Sequence, residues 1–214
     1  MLQFSERLAV RRGVTAIIGG GGKTTLLYRL ARELCECGKV IVTTTTHIFL
    51  PGDVPFSQTA ACPNPILCVG TPCENGKLTA PQQSMEELMR YADFVLVEAD
   101  GAKRLPIKAH AAHEPVIPME ADQVICVVGA SGLHGRVAEV VHRPEIFTAR
   151  TGEAAFATPE AVAKLLLAEH LHARVLINQV DTPQREWAAR ALAKRLDCPT
   201  VLAALQKGEI LCSF

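Results

Sequence analysis

Seven residues in a row, Gly19-Gly20-Gly21-Gly22-Lys23-Thr24-Thr25, carry the types and spacing best suited to holding a phosphate chain. Successive glycines let backbone N–H groups turn toward one anion without a Cβ in the way. Lys23 is spaced to reach the β- and γ-phosphates of a nucleoside triphosphate, and the Thr24 hydroxyl to hold Mg²⁺. The common G-x-x-x-x-G-K-[ST] pattern would put its first glycine at position 17, which is Ile17. The match is instead to a shorter G-x-x-G-K-T-T form that starts at Gly19. A dinucleotide G-x-G-x-x-G reading fails, because its third glycine would be Thr24.

A phosphate loop needs an acid nearby, taken from the end of a neighbouring strand. Glu98 ends the strand expected over 93–97, and Ala99-Asp100-Gly101 follows. Glu98 is expected to hold Mg²⁺ or its water, Asp100 a water or a substrate, and the Gly101 N–H to sense a γ-phosphate. An acid at a strand end before a turn is the plainer alternative. Lys23, Glu98 and Asp100 are therefore the catalytic candidates. The loop form resembles that of Mur-type ligases. Asn178-Gln179-Val180-Asp181 resembles the N-K-x-D element of GTPases, with Gln in place of Lys. There the aspartate accepts from the guanine N1–H and exocyclic amine. Thr182-Pro183 supplies its own helix start, which leaves Asp181 for a base. Asn178 and Asp181 join the nucleotide-binding candidates, and the choice between ATP and GTP stays open.

Other polar residues fall where substrate is expected, beyond the C-terminal ends of strands. Thr45, Thr46 and His47 follow the second strand. Lys103, Lys108, His110, His113 and Glu114 lie in the loop after the acidic strand, where a solvated loop is an equal reading. His110-x-x-His113 alone is weak support for a metal. Arg136 or Arg143 could neutralise a transferred phosphoryl group, although surface arginine is the commoner role.

The elements that must position these residues alternate strand and helix. That pattern predicts an α/β fold, a P-loop NTPase-like three-layer sandwich with a mainly parallel sheet. Residues 14–18 read as a buried strand. Leu26, Leu27, Leu30 and Leu34 recur at helical spacing, with Arg29, Arg32, Glu33 and Glu36 opposite, and Gly38 ends that helix. Residues 40–46 are a second strand. Residues 51–81 read as a long excursion with a hairpin of 66–69 against 76–78. A helix is expected over 84–91, a strand over 93–98, a loop over 101–120 and a strand over 124–129. The pattern is silent over 130–152. A helix over 159–170, a strand over 174–178, a helix after Thr182 and a strand over 199–202 complete the chain.

The 214 residues suit one domain over 1–214, and the formal net charge is zero with no long basic run. A nucleic-acid or anionic-membrane partner has no electrostatic support. The N-terminus has no apolar signal-peptide core, and no apolar stretch spans a bilayer, so a cytoplasmic location is expected. Eight cysteines are scattered without a CxxC pair, which favours free thiols. A soft-ligand site from Cys62, Cys68 and Cys73 has little support from that spacing.

Taken together, VTAIIGGGGKTTLL (14–27), VIVTTTTH (40–47), DFVLVEADGAKRLPIK (93–108), HEPVIP (113–118), VHRPEIF (141–147) and residues 175–181 resemble the YqeC family of selenium-dependent hydroxylase accessory proteins. The stretches run in order over nearly the whole chain. The resemblance implies a part in maturing selenium-dependent molybdenum hydroxylases. Its implied partners are such a hydroxylase or a selenium-cofactor biosynthesis protein. It names a process and leaves the reaction open: NTP hydrolysis, small-molecule phosphoryl or acyl transfer, or nucleotide-gated binding without turnover.

Overall fold

The computed structural model describes residues 3–49, 52–61 and 64–214. In chain order the elements begin with α1 (Phe4–Arg7), β1 (Gly13–Gly19), α2 (Lys23–Leu34), β2 (Val40–Thr44), β3 (Ile48–Phe49), β4 (Phe56–Ser57) and β5 (Ile66–Val69). Next come β6 (Thr71–Cys73), β7 (Lys77–Thr79), α3 (Met85–Met89), β8 (Phe94–Glu98), β9 (Ile107–Lys108) and β10 (Ala121–Gly129). The rest are α4 (Val137–Val140), β11 (Val141–His142), α5 (Pro144–Thr151), α6 (Pro159–Glu169), β12 (Arg174–Asn178), α7 (Pro183–Ala193), β13 (Thr200–Ala204) and β14 (Glu209–Ser213). Nine strands form one mainly parallel sheet in the order β14-β13-β12-β10-β1-β8-β2-β5-β4, flanked by helices. This is the α/β sandwich that the alternating pattern predicts. No helix among the described residues is long and apolar enough to cross a membrane.

The backbone divides into two compact units. The first comprises Met1–Ile18, Thr24–Gly101 and Val116–Val124. In it β8 pairs in parallel with β1 and with β2, so that Glu98 stands level with Ile17 on one side and Thr44 on the other. These strands read as near-continuous apolar runs because both faces are covered. Leu26, Leu27 and Leu30 of α2 are fully buried, each burial stabilising by about 2 kcal/mol. A capping box starts α3: Ser84 accepts from the Glu87 N–H, and the Glu87 carboxylate accepts from the Ser84 N–H.

The expected hairpin of 66–69 against 76–78 does not form. Residues 66–69 are β5, which joins the main sheet in parallel with β2, pairing Val40 with Ile66. Leu67, Cys68 and Val69 are buried because they continue that sheet. The hairpin is instead β6 with β7, extended by β3 into a separate three-stranded sheet. The stretch 51–81 is therefore partly sheet core rather than all excursion.

The second unit comprises Gly19–Lys23, Ala102–Pro115 and Ile125–Phe214. Within it β10, β12 and β13 pair in parallel, and β14 adds an antiparallel edge beyond β13 that the strand at 199–202 did not announce. The silent stretch 130–152 holds a 3₁₀ turn (Ala130–Gly132), α4, β11 and α5. The loop 101–120 is irregular apart from β9, whose two residues pair with β11. Thr158 and Thr182 cap α6 and α7, each followed by Pro at the first helical position.

Candidate functional site

Strand β1 ends at Gly19 and helix α2 begins at Lys23, so Gly20, Gly21 and Gly22 make the whole turn between them. The turn is held from outside by backbone. Gly20 donates to the Val127 carbonyl (2.8 Å) and Gly21 to the Leu105 carbonyl (3.1 Å). Gly21 has φ +77°, and a Cβ there would lie 2.4 Å from the Gly129 backbone, so no other residue fits. Lys23 is buried, and its ammonium donates back to the Gly19 carbonyl at 2.7 Å, spanning the loop. A cation held over a turn that opens a helix is what a phosphate chain requires, because the helix N-terminus adds its own positive end.

Within the first unit, Thr24 stands in the first turn of α2 and Glu98 at the end of β8. The Thr24 hydroxyl donates to Glu98 Oε2 at 2.7 Å across 74 residues of sequence. The Glu98 carbonyl accepts from the Thr45 N–H (3.2 Å) and the Thr44 hydroxyl (2.8 Å), which fixes the strand end that carries the buried carboxylate. Two hard oxygens at this separation suit Mg²⁺, whose cis ligands in an octahedron with bonds of about 2.1 Å stand about 3 Å apart. Thr24 and Glu98 are thus brought together. Thr25 is exposed, Asp100 is fully buried just beyond the strand, and Gly101 is exposed. The threonine run is used for fastening: Thr43 binds the Val69 carbonyl, Thr45 the Val116 carbonyl, and the Thr44 hydroxyl accepts from the Thr46 N–H. His47 is exposed beside them.

Asn178 ends β12 and is buried. Its amide donates to the Gly21 carbonyl (2.7 Å) and accepts from the Leu205 N–H (3.0 Å). It therefore fastens the glycine turn to the residue after β13, with both ends of its amide engaged. A carboxamide is the side chain that can donate and accept at once, and that chemistry was the available signal for this role. Gln179 has φ +64° and accepts from the Ser131 hydroxyl, and the Val180 N–H is bound to the Ala203 carbonyl. Asp181 is exposed and ion-paired to Arg185 one helical turn on. Thr182 caps α7 without it, as the sequence implied.

The charged loop resolves into two separate networks. Glu114 Oε2 takes Lys108 Nζ (3.1 Å), Arg143 Nε (3.0 Å) and Arg143 Nη2 (3.0 Å). Burial pushes the Glu114 carboxyl up, but the hydrogen bonds and charges of Lys108 and Arg143 outweigh it and hold the group below the ordinary carboxylate range. His142 is held below the ordinary histidine value by burial and then by Lys108 and Arg143. Arg143 is committed to this carboxylate, and Arg136 is an exposed residue preceding α4. The second network is buried: Glu169 accepts from the His110 N–H (2.8 Å), meets His110 Nδ1 (2.6 Å) and pairs with Arg150. His113 is exposed while His110 is buried, so the His-x-x-His pair does not converge on one point. Neither network was readable beforehand, because each turns on a contact far apart in sequence, 29 positions for Glu114 and Arg143 and 59 for His110 and Glu169.

Cys62 lies outside the described residues. Cys68 is buried on β5 with its thiol pushed up to about 11 by burial, and Cys73 is on β6. Among the described residues, no group of three or more His, Cys, Asp or Glu could hold a metal ion. A magnesium site of the phosphate-loop type draws on few protein ligands and is a different case.

A model of the YqeC protein family matches residues 15–145, which hold the glycine turn, the strand ending at Glu98 and the Lys108–Glu114–Arg143 network. Among curated proteins, the Escherichia coli (strain K12) protein named Uncharacterized protein YqeC is 35% identical over 171 residues. The match covers 72% of this chain and 65% of that protein, so the chain spans somewhat under two thirds of its relative's length.

Proposed function

Because the chain belongs to the YqeC family, whose resemblance pointed to cofactor maturation, we propose that it binds a nucleoside triphosphate with Mg²⁺ at residues 19–25 and hydrolyses it in that service. The observation that carries the reading is the Thr24 hydroxyl on the Glu98 carboxylate, and the buried Lys23 that spans the glycine turn supports it. Lys23 would exchange the Gly19 carbonyl for β- and γ-phosphate oxygens, a stronger, charge-assisted partner. The N–H groups at the start of α2 would take the remaining charge. Thr24 and Glu98 would hold Mg²⁺, which when bound neutralises phosphate charge. Asp100, buried beyond Glu98, would orient a water or the substrate, and Gly101 would meet the γ-phosphate. The partner implied is a selenium-dependent molybdenum hydroxylase or a protein that makes its selenium cofactor.

The test is phosphate release from ATP and from GTP by the purified chain with Mg²⁺, with and without such a hydroxylase, against Lys23→Ala. Turnover no higher than in that variant under every condition would end the hydrolysis reading. Binding without turnover would leave a nucleotide-gated chaperone. One observation favours a second reading, transfer to a small acceptor by a kinase or ATP-dependent ligase. The loop bearing Lys103, Lys108 and Glu114 is fastened to the phosphate turn through the Leu105 carbonyl and Gly21 N–H. An acceptor bound there would stand beside the γ-phosphate. A product other than inorganic phosphate would select it.

A further inference from the structure

Arg143 follows β11 with its backbone in the left-handed region, at φ +71°, and its guanidinium turns to Glu114. Nε donates to Glu114 Oε2 at 3.0 Å, and Nη2 stands 3.0 Å from the same oxygen. Lys108 Nζ meets that oxygen too, at 3.1 Å. One edge of the planar group is thereby held still. Among the described residues the guanidinium has no other partner, so its second edge, Nη1 with the outer N–H of Nη2, is open. The side chain is 26% exposed, and solvent reaches that edge.

The setting is positive. β11 pairs with β9 so that His142 stands beside Lys108 in register, and the His142 carbonyl accepts from the Ala109 N–H at 3.1 Å. On the His142 ring, Lys108 and Arg143 each act more strongly than Glu114, and the exposed Lys103 adds to them. One carboxylate thus fixes two cations without cancelling their field. An open guanidinium edge in such a field is matched by two oxygens of one anion, because parallel N–H groups meet a carboxylate or phosphate bidentately. A neutral or cationic ligand would gain nothing from it. Leu105, whose carbonyl takes the Gly21 N–H, is three residues from Lys108, at most about 11 Å of chain. The cluster therefore lies next to the glycine turn, inside the same compact unit.

We propose that Arg143, steadied by Glu114 and flanked by Lys103, Lys108 and His142, is the recognition fork of a binding site for a small-molecule oxyanion, a carboxylate or a phosphate ester. The site is separate from residues 19–25 and stands whether or not a nucleotide binds them.

The experiment follows the His142 ring by NMR, assigned through His142→Gln, as sulfate or malonate is added at an ionic strength held constant with sodium chloride. Sulfate represents the phosphate ester and malonate the carboxylate. The wild-type chain is compared with Arg143→Lys, Lys103→Ala and Lys23→Ala, with circular dichroism as the check on folding. A saturable response is expected, with the His142 pKa rising by about half a unit or more, because a bound negative charge favours the imidazolium. Arg143→Lys keeps the charge and loses the fork, and should weaken binding by about tenfold or more. Lys103→Ala removes an exposed charge and should weaken it by about two- to fivefold. Lys23→Ala should bind as the wild type does. The probe with the stronger response names the class of anion. A response no greater than chloride gives, or one equal in Arg143→Lys and the wild type, would overturn the site. Should Arg143→Lys fail to fold, undiminished binding in Lys103→Ala would overturn it instead. A response lost in Lys23→Ala but kept in Arg143→Lys would put the anion at the glycine turn, ending this proposal while supporting the phosphate-loop reading.

Discussion

Thr24 and Asn178 make their cases with single hydrogen-bonding groups. The hydroxyl of Thr24 reaches Glu98 at a distance that a shared Mg²⁺ would keep. Replacing Glu98 by Gln preserves the shape and removes the charge. Titration of nucleotide with and without Mg²⁺ should then show the metal-dependent part of the affinity reduced by about tenfold or more, with binding in EDTA unchanged. Equal binding in both variants with Mg²⁺ would separate Glu98 from the metal. Asn178→Ala tests the other group. It strips partners from the Gly21 carbonyl and the Leu205 N–H, both in a buried setting. Urea unfolding should register a loss of about 2–4 kcal/mol. A loss below about 0.5 kcal/mol would mean that water replaces the amide at no cost.

At the scale of elements, what was legible followed periodicity. Helix α2 was readable from Leu26, Leu27, Leu30 and Leu34, and β1, β8 and β12 from apolar runs buried on both sides, because these residues report their own burial. The turn between β1 and α2 was readable because its glycines are contiguous. Strand β5 was misassigned because Ile66–Val69 looks the same whether it pairs with a hairpin partner or with β2. The choice is made by register across the sheet. The role of the Leu105–Pro106 segment was illegible for the same reason: nothing near it names Gly20 or Gly21 as its neighbour. That segment gives a test at this scale. A Cβ at Gly20 would lie 2.6 Å from the Leu105 carbonyl, a backbone atom that cannot swing aside. Gly20→Ala should therefore displace the turn, weakening nucleotide binding by about tenfold or more while circular dichroism stays that of the parent. Undiminished binding would show that the loop yields at this point.

Over the whole chain, several ionisable groups lean the same way. His142 and His172 are held below the ordinary histidine value of 6.5, His172 chiefly by burial. Glu114 is held below its ordinary 4.5, as the Lys108 and Arg143 hydrogen bonds overcome burial. In each case the unfolded chain takes up its proton first as the pH falls. Stability from the histidines is thus complete above 6.5 and declines below it, and that from Glu114 is complete above 4.5 and declines below. Urea midpoints should be level near neutrality, then drop in two stages on acidification. Glu114→Gln should flatten the lower stage and leave the upper one. A single stage in both proteins would show that the network does not govern acid sensitivity. The bridging amide of Asn178 has a last consequence for the molecule in solution. A ligand that stiffens the glycine turn must also quiet the far end of β13, so the Leu205 amide proton becomes a natural isotope-exchange reporter. Its deuterium uptake should slow when the turn is filled, although Leu205 itself is nowhere assigned to the ligand.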